Sequence, residues 1–341
     1  MFKAKWGIGA LLLAGAVWLG WSKMPAATTP EPATAAVEAE LPSDCPDNPV
    51  ELGTVCWLRH LDTALLRAEA TRKPVFILFQ EVPGCSNCTR YGSATLSHPL
   101  ITEAIESLFV PLCIYNNKKG SDAAALDRFG EPSWNNPVVR ITDAAGADLA
   151  GRMPDFRSQS ELLQGMCLAL GQKAPQWLQL LREEVSAREH GTDTATFSMY
   201  CFWSGEATFG ALDGVIETSA GYQDGKEVVK VVFDPSRTSK TTLESQTMPQ
   251  GIRQCSRNEG FREDKEPKYY LSNSLWKHVP MTALQACRVN SSLARHQSPE
   301  SSLSPGQIAL YEQVQRDPRR RKESFIGQSD LKKAWKRALM P

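Results

Sequence analysis

The chain has 341 residues, and its 38 Lys and Arg balance 38 Asp and Glu, so the formal net charge is zero at pH 7. That balance excludes the broad basic field of a nucleic-acid binder, and the length suits two domains of about 100–200 residues each. Nine cysteines point to sulfur chemistry, and an odd number cannot all pair within one chain.

Lys3 and Lys5 precede an uninterrupted apolar or small stretch from Trp6 to Trp21. Positive charge before such a run predicts export, so residues 1–24 read as a signal peptide or as an uncleaved N-terminal signal anchor. Both place the body outside the cytoplasm, either periplasmic or tethered to the inner membrane through residues 6–21 and facing the periplasm. Residues 25–54, rich in Pro, Ala, Thr and Glu, read as a flexible linker. Cys45 and Cys56 flank a short Pro/Asn/Gly loop and are a candidate structural disulfide.

Residues 55–187 form the first expected domain. Trp57, Leu58, Leu61, Ala64, Leu65 and Ala68 recur at helical spacing, and Lys73-Pro74 stops that helix. The apolar run from Val75 to Phe79 predicts a buried strand. A helix to about Ser97, a helix from Pro99 to Leu108 and a strand from Phe109 to Tyr115 follow. Asn136 to Ile141 opens a hairpin that returns over residues 148–151, and Ser160 to Leu170 closes the unit. Cys113 and Cys167 have apolar neighbours and read as small buried hydrophobes.

Between strand and helix stands Val82-Pro83-Gly84-Cys85-Ser86-Asn87-Cys88. A thiol at a helix N-terminus ionises readily, because the dipole and open N–H groups stabilise the thiolate. Cys85 is therefore the expected attacking thiolate and Cys88, one turn on, the resolving thiol. No second CxxC or paired histidine lies nearby, and the five histidines are scattered without ligand spacing, so no metal is expected. No glycine-rich phosphate loop or dinucleotide fingerprint appears, and no cofactor is expected.

The order helix, strand, CxxC, helix, strand, proline-strand, hairpin, helix resembles the thioredoxin fold. That resemblance implies a cis-proline facing the cysteine pair and offering its backbone to substrate, and Pro137 is the candidate. Phe79 to Cys85 and Trp134 to Val139 together also resemble a thioredoxin-like family named for its VPG-selenocysteine motif. Here Cys85 stands at the selenocysteine position and Cys88 where that name has threonine, which implies a two-thiol version.

Residues 192–290 form the second expected domain. Cys201-Phe202-Trp203-Ser204-Gly205-Glu206 precedes a helical run, Gly214 to Tyr222 reads as a strand, and Glu227 to Pro235 as an alternating strand. The segment resembles the A-type peptide-methionine-(S)-sulfoxide reductases. The resemblance implies an α+β domain in which Cys201 is the nucleophile, Phe202 and Trp203 pack on the substrate methyl group, Glu206 is the motif glutamate, and Glu227 protonates the sulfoxide oxygen. Tyr200 and Ser204 replace motif glycines, and the loop between the two strands is cut to a turn. The family's later tyrosine segment has no recognisable match, which leaves Tyr269 or Tyr270 as a substitute. Cys255 is a possible resolving thiol, and Cys287 reads as core.

Residues 291–341 form a polar C-terminal extension: a Ser-rich loop to 306, then solvent-exposed helices. Its run Arg319-Arg320-Arg321-Lys322 suits either a solvated end or a contact with an anion. The whole reads as α/β and α+β, a thioredoxin-like unit followed by a reduced reductase-like one. The expected function is an oxidoreductase whose dithiol, refilled by a membrane or periplasmic thiol reductant, supplies electrons to a Cys201 centre acting on methionine sulfoxide in oxidised proteins. The competing expectations are a thiol-disulfide oxidoreductase for protein disulfides whose second domain only binds, and an anchored scaffold with a structural CxxC. No nucleic-acid partner is expected.

Overall fold

Five apolar residues directly after Lys73-Pro74 make a strand that only a two-sided core can cover. The computed structural model describes residues 48–154, 156–256 and 259–340. The apolar run 6–21, most of the expected linker and Cys45 lie outside the described residues. Cys56 is disulfide-bonded.

The first half runs α1 (Leu61–Thr71), β1 (Val75–Gln80), α2 (Ser86–Ala94), α3 (Pro99–Leu108), β2 (Val110–Tyr115), α4 (Ser121–Phe129), β3 (Val138–Thr142), α5 (Gln159–Leu170) and α6 (Gln176–His190). Its sheet has the order β2-β1-β3, with β1 parallel to β2 and antiparallel to β3. Every residue of β1 is buried. Because strand side chains alternate, Phe76 and Leu78 enter a core under α3, α5 and α6, while Val75, Ile77 and Phe79 enter another beside α1.

Several expectations shift here. The first helix begins at Leu61 rather than Trp57, because Leu58 joins the sheet edge through hydrogen bonds to Pro111 and Cys113. The linker does not reach residue 54: Val50–Leu52 is a 3-10 turn with Glu51 and Leu52 buried against α2. The hairpin return is reduced to isolated bridges at Asp148 and Met153. Helix α4 carried little apolar signal, since it buries only Asp122, Ala125 and Leu126. Asp122 is held there by the Arg59 guanidinium at 3.0 Å.

The second half adds β4 (Asp193–Ser198), α7 (Phe202–Phe209), β5 (Val215–Gln223), β6 (Lys226–Phe233), α8 (Lys240–Thr247), β7 (Arg253–Gln254), β8 (Arg262–Glu263), α9 (Tyr269–Ser272), α10 (Ala283–Ala294), α11 (Pro305–Arg316) and α12 (Leu331–Leu339). Its antiparallel sheet has the order β7-β4-β6-β5-β8. Strands β5 and β6 close on Asp224-Gly225, both at positive φ (51° and 74°), the two-residue turn whose twist matches a hairpin.

The boundary expected at 290 falls inside α10, and the extension is not simply exposed. Ser291, Ser302 and Ser304 are buried, as are Leu310, Val314, Phe325 and Ala334. The amides of Gln285 and Gln307 bond each other at 2.9 and 3.0 Å, so two helix caps are locked in one core.

The halves are not loosely tethered. Glu184 accepts from the N–H of Leu284 at 2.9 Å, Arg188 pairs with Glu217 at 3.2 Å, and Arg237 with Glu183 at 2.9 Å. The Glu103 carboxylate accepts from Ser304 Oγ and from the N–H of Gly306, both at 2.6 Å. Helices α3, α6, α10 and α11 supply much of this junction, and neither the Cys85 nor the Cys201 sulfur belongs to these contacts.

Candidate redox sites

Strand β1 delivers the chain into the loop 81–84, and Cys85 becomes the N-cap of α2. Its Sγ lies 3.4 Å from Cys88 Sγ, as two thiols rather than a disulfide. Cys85 is exposed and Cys88 is buried. Burial works to raise the Cys85 pKa, but the N–H of Cys88, its thiol and the N–H of Asn87 outweigh it and bring the value down. Burial dominates at Cys88 and pushes its thiol up to about 12. The exposed thiol is thus the more readily ionised of the two, and its buried neighbour holds its proton more tightly.

The Asn136–Pro137 peptide bond is cis, and Pro137 opens β3 beside the pair. The residue that touches sulfur is Asn136, whose Oδ1 lies 2.7 Å from Cys88 Sγ and 3.8 Å from Cys85 Sγ. Sequence reasoning stopped one residue short of it. It also missed Glu51, whose Oε1 accepts from the N–H of Gly84 at 2.9 Å, because that glutamate fell in the expected linker. Gln80 was visible as the polar end of an apolar strand; fully buried, its Nε2 donates to the carbonyls of Glu51 (2.7 Å) and Cys88 (3.3 Å). Among the described residues Glu81, Cys85 and Cys88 bring three possible metal-ligand atoms within 4.8 Å of one another, one fewer than a closed structural zinc site uses.

The second site repeats the same local logic. Cys201 leaves β4 and becomes the N-cap of α7, partly exposed, with Ser204 Oγ 3.5 Å from its sulfur. The Glu227 carboxylate, from the start of β6, accepts the N–H of Phe202 at 2.8 Å. Candidate nucleophile and candidate proton donor therefore meet at one helix end, though 26 residues separate them in sequence. A shallow depression of about 370 Å³ lies beside them, lined by Ser198, Met199, Tyr200, Lys226, Glu227 and Gly251.

Two of the expected substrate contacts are corrected. Residues 202, 206 and 209 share the inward face of α7, so Phe202 is 3% exposed and packed edge-on against Tyr222 at 5.2 Å. Glu206 is fully buried; its carboxylate takes the N–H of Lys268 at 2.8 Å and its Nζ at 3.3 Å. It braces the fold below the site and has no surface for a ligand. Burial alone would lower the Lys268 pKa, but the acidic groups around it, Cys287, Glu206 and Glu217, reverse the shift and raise it.

Trp203 stays partly exposed, and Tyr269 stacks on it at 4.2 Å with an interplanar angle of 19°. Of the two tyrosines at 269 and 270, Tyr269 is the one against Trp203, one residue after the Lys268–Glu206 pair. Cys255 pairs through its backbone with Thr196, five residues before Cys201, and burial raises its pKa. No hydrogen bond joins its sulfur to that of Cys201 among the described residues. Cys113 and Cys287 are buried, and Cys167 is partly so.

Comparison with known proteins gives two kinds of match. Residues 56–144 match the family model described as thioredoxin-like. The chain is also similar to the peptide methionine sulfoxide reductase MsrA of Vibrio cholerae serotype O1, 36% identical over 91 residues that cover 20% of this chain and 43% of the relative. Peptide methionine sulfoxide reductase A5 of Oryza sativa subsp. japonica is 40% identical over 67 residues, 16% of this chain and 26% of the relative. MsrA of Salinispora arenicola is 35% identical over 86 residues, 19% and 39% respectively. This chain therefore spans less than half the length of these curated relatives.

Proposed function

We propose that this protein is a thiol-dependent oxidoreductase of the cell envelope, in which Cys201 reduces methionine-(S)-sulfoxide in proteins and the Cys85–Cys88 pair returns it to the thiol. Kinship with the VPG-motif thioredoxin-like family is part of this reading. One observation carries it: the Glu227 carboxylate sits on the first N–H of the helix that Cys201 caps. In the first step the Cys201 thiolate attacks the sulfoxide sulfur and Glu227 supplies a proton to the oxygen. Methionine leaves and the oxygen remains on Cys201 as a sulfenic acid. A thiol then displaces water from that sulfur to give a disulfide, and exchange leaves Cys85–Cys88 oxidised. A membrane or periplasmic thiol donor restores the pair with two electrons.

Two exposed aromatics support a protein substrate. Trp134, two residues before Asn136, is 80% exposed, and Tyr200, directly before Cys201, is 98% exposed. Each offers a large apolar face within two residues of a site residue, as peptide-binding surfaces do. The test is turnover of a methionine-(S)-sulfoxide peptide with dithiothreitol. Cys201→Ser abolishes it, while Cys85→Ser leaves it intact and loses only turnover driven by a protein thiol donor. Full activity in Cys201→Ser overturns the reading.

The enclosure of Phe202 and the Tyr269 stack on Trp203 favour a second reading: a dithiol acting on protein disulfides, with a second half that only binds. Reduction of insulin that requires Cys85 and ignores Cys201, with no sulfoxide turnover, selects it.

A further inference from the structure

Charge is spread unevenly along a chain whose total is zero. Residues 316–341 hold nine Lys and Arg against three Asp and Glu, a local charge of +6 that leaves −6 on the remainder. The 3-10 turn Pro318–Arg321 packs beside α12, since Arg320 Nη1 donates to the carbonyl of Ala338 at 2.9 Å and Arg337 pairs with Glu323 at 3.0 Å. Arg319, Arg320, Lys322 and Arg337 line one hollow with Met340, while Arg321 and Lys332 donate to the backbone carbonyls of Val314 and Ser93. Arg316, Arg319 and Lys333 also meet carboxylates. Arg320, Arg321, Lys322, Lys332 and Lys336 are matched by no carboxylate among the described residues. Helix α12 turns Ala334 inward and rests Leu331 and Trp335 on the core, yet its end leaves Leu339 and Met340 56% and 55% exposed beside those cations.

We propose that this face docks on a bilayer rich in anionic phospholipid, with the unmatched cations at headgroup level and Leu339 and Met340 entering the interface. Juxtaposed basic and aliphatic side chains gain from both parts of such a surface, the negative potential and the apolar boundary. A nucleic acid would use the charge and leave the two aliphatic side chains in water, so the bilayer is the better fit. The inference is independent of the redox reading.

Hydrogen exchange of the full chain, read peptide by peptide, tests it on vesicles of phosphatidylcholine alone or mixed with phosphatidylglycerol. Slower exchange is expected over residues 318–322 and 331–340 on the mixed vesicles only, disappearing near ~0.5 M NaCl because exposed charges are then screened. The pair Lys322→Glu and Lys336→Glu, at exposed sites, should lose that protection and weaken binding through this face roughly tenfold or more. The same charge change at exposed Lys118 and Lys119 should leave it in place. Equal protection on neutral vesicles, no protection on either, or protection that survives Lys322→Glu/Lys336→Glu overturns the proposal. So does equal protection by a single-stranded oligonucleotide at matched phosphate concentration.

Discussion

Asn136 Oδ1 accepts from the buried thiol of Cys88 at 2.7 Å, a proton that Cys85 Sγ shares at 3.4 Å, so the residue preceding the cis-proline helps to hold it on Cys88. The bond exists only while Cys88 is a thiol, and it therefore stabilises the reduced pair. Asn136→Ala removes it without touching either cysteine. A hydrogen bond worth about 0.5–1.5 kcal/mol corresponds to roughly 10–30 mV for a two-electron couple. The expected result is a reduction potential more negative by that amount in glutathione equilibration. An unchanged or higher potential counts against the role given to Asn136.

The two thiols should also separate in pH. Cys85, lowered by the open helix N–H groups, should alkylate with iodoacetamide at pH values where a free thiol is still protonated, while Cys88 stays unlabelled. In urea both should return to ordinary thiol behaviour. For Cys88 the folded value is raised, so its contribution to the stability of the reduced form is complete below 9.0 and lost as pH climbs toward 12. Denaturant melts of the reduced chain across that window check the sign.

Glu227→Gln keeps an oxygen to receive the N–H of Phe202 but cannot donate a proton as a carboxylic acid. If Glu227 protonates the leaving oxygen, kcat for the sulfoxide peptide should fall by about 10²–10⁴ with little change in KM. The fold should be unaffected, and Cys201 should alkylate at its original rate. A matching loss of Cys201 alkylation would instead make Glu227 a residue that only sets the helix end.

The Glu206–Lys268 pair is fully enclosed, with side-chain exposures of 0% and 8%. Lys268→Met strands a buried carboxylate and should cost about 3–5 kcal/mol in urea unfolding. The double change Lys268→Met and Glu206→Leu should recover much of that loss, since a matched apolar pair leaves no unpaired charge. The backbone N–H of Lys268 survives the single change, so it is the double variant, which removes its Glu206 acceptor, that should loosen Tyr269 from Trp203 and expose the indole to acrylamide quenching.

Gly84 has no room for a side chain. A Cβ there would collide with the carbonyl oxygen of Glu81 and lie 2.7 Å from Cys88 Cβ. Gly84→Ala should therefore destabilise the reduced chain by about 1–3 kcal/mol. It should also slow Cys85 alkylation, as the loop moves off the helix end.

What could be read from the residues alone was local and periodic. The buried run before CxxC, the alternation in β6, the Asp-Gly turn and the cysteines placed before helical segments are all contained within a few neighbours. That is enough to place Cys85 and Cys201 at helix N-termini. Tertiary structure decided the rest, because each remaining choice is a contact between residues far apart in sequence. Glu51 reaches Gly84, Asn136 reaches Cys88, and Lys268 reaches Glu206 across 62 positions. Helical phase, not motif position, turned Phe202 and Glu206 inward. Packing likewise drew the serine-rich extension into the core, since buried hydroxyls and amides are stable wherever they find partners, and composition does not reveal those partners.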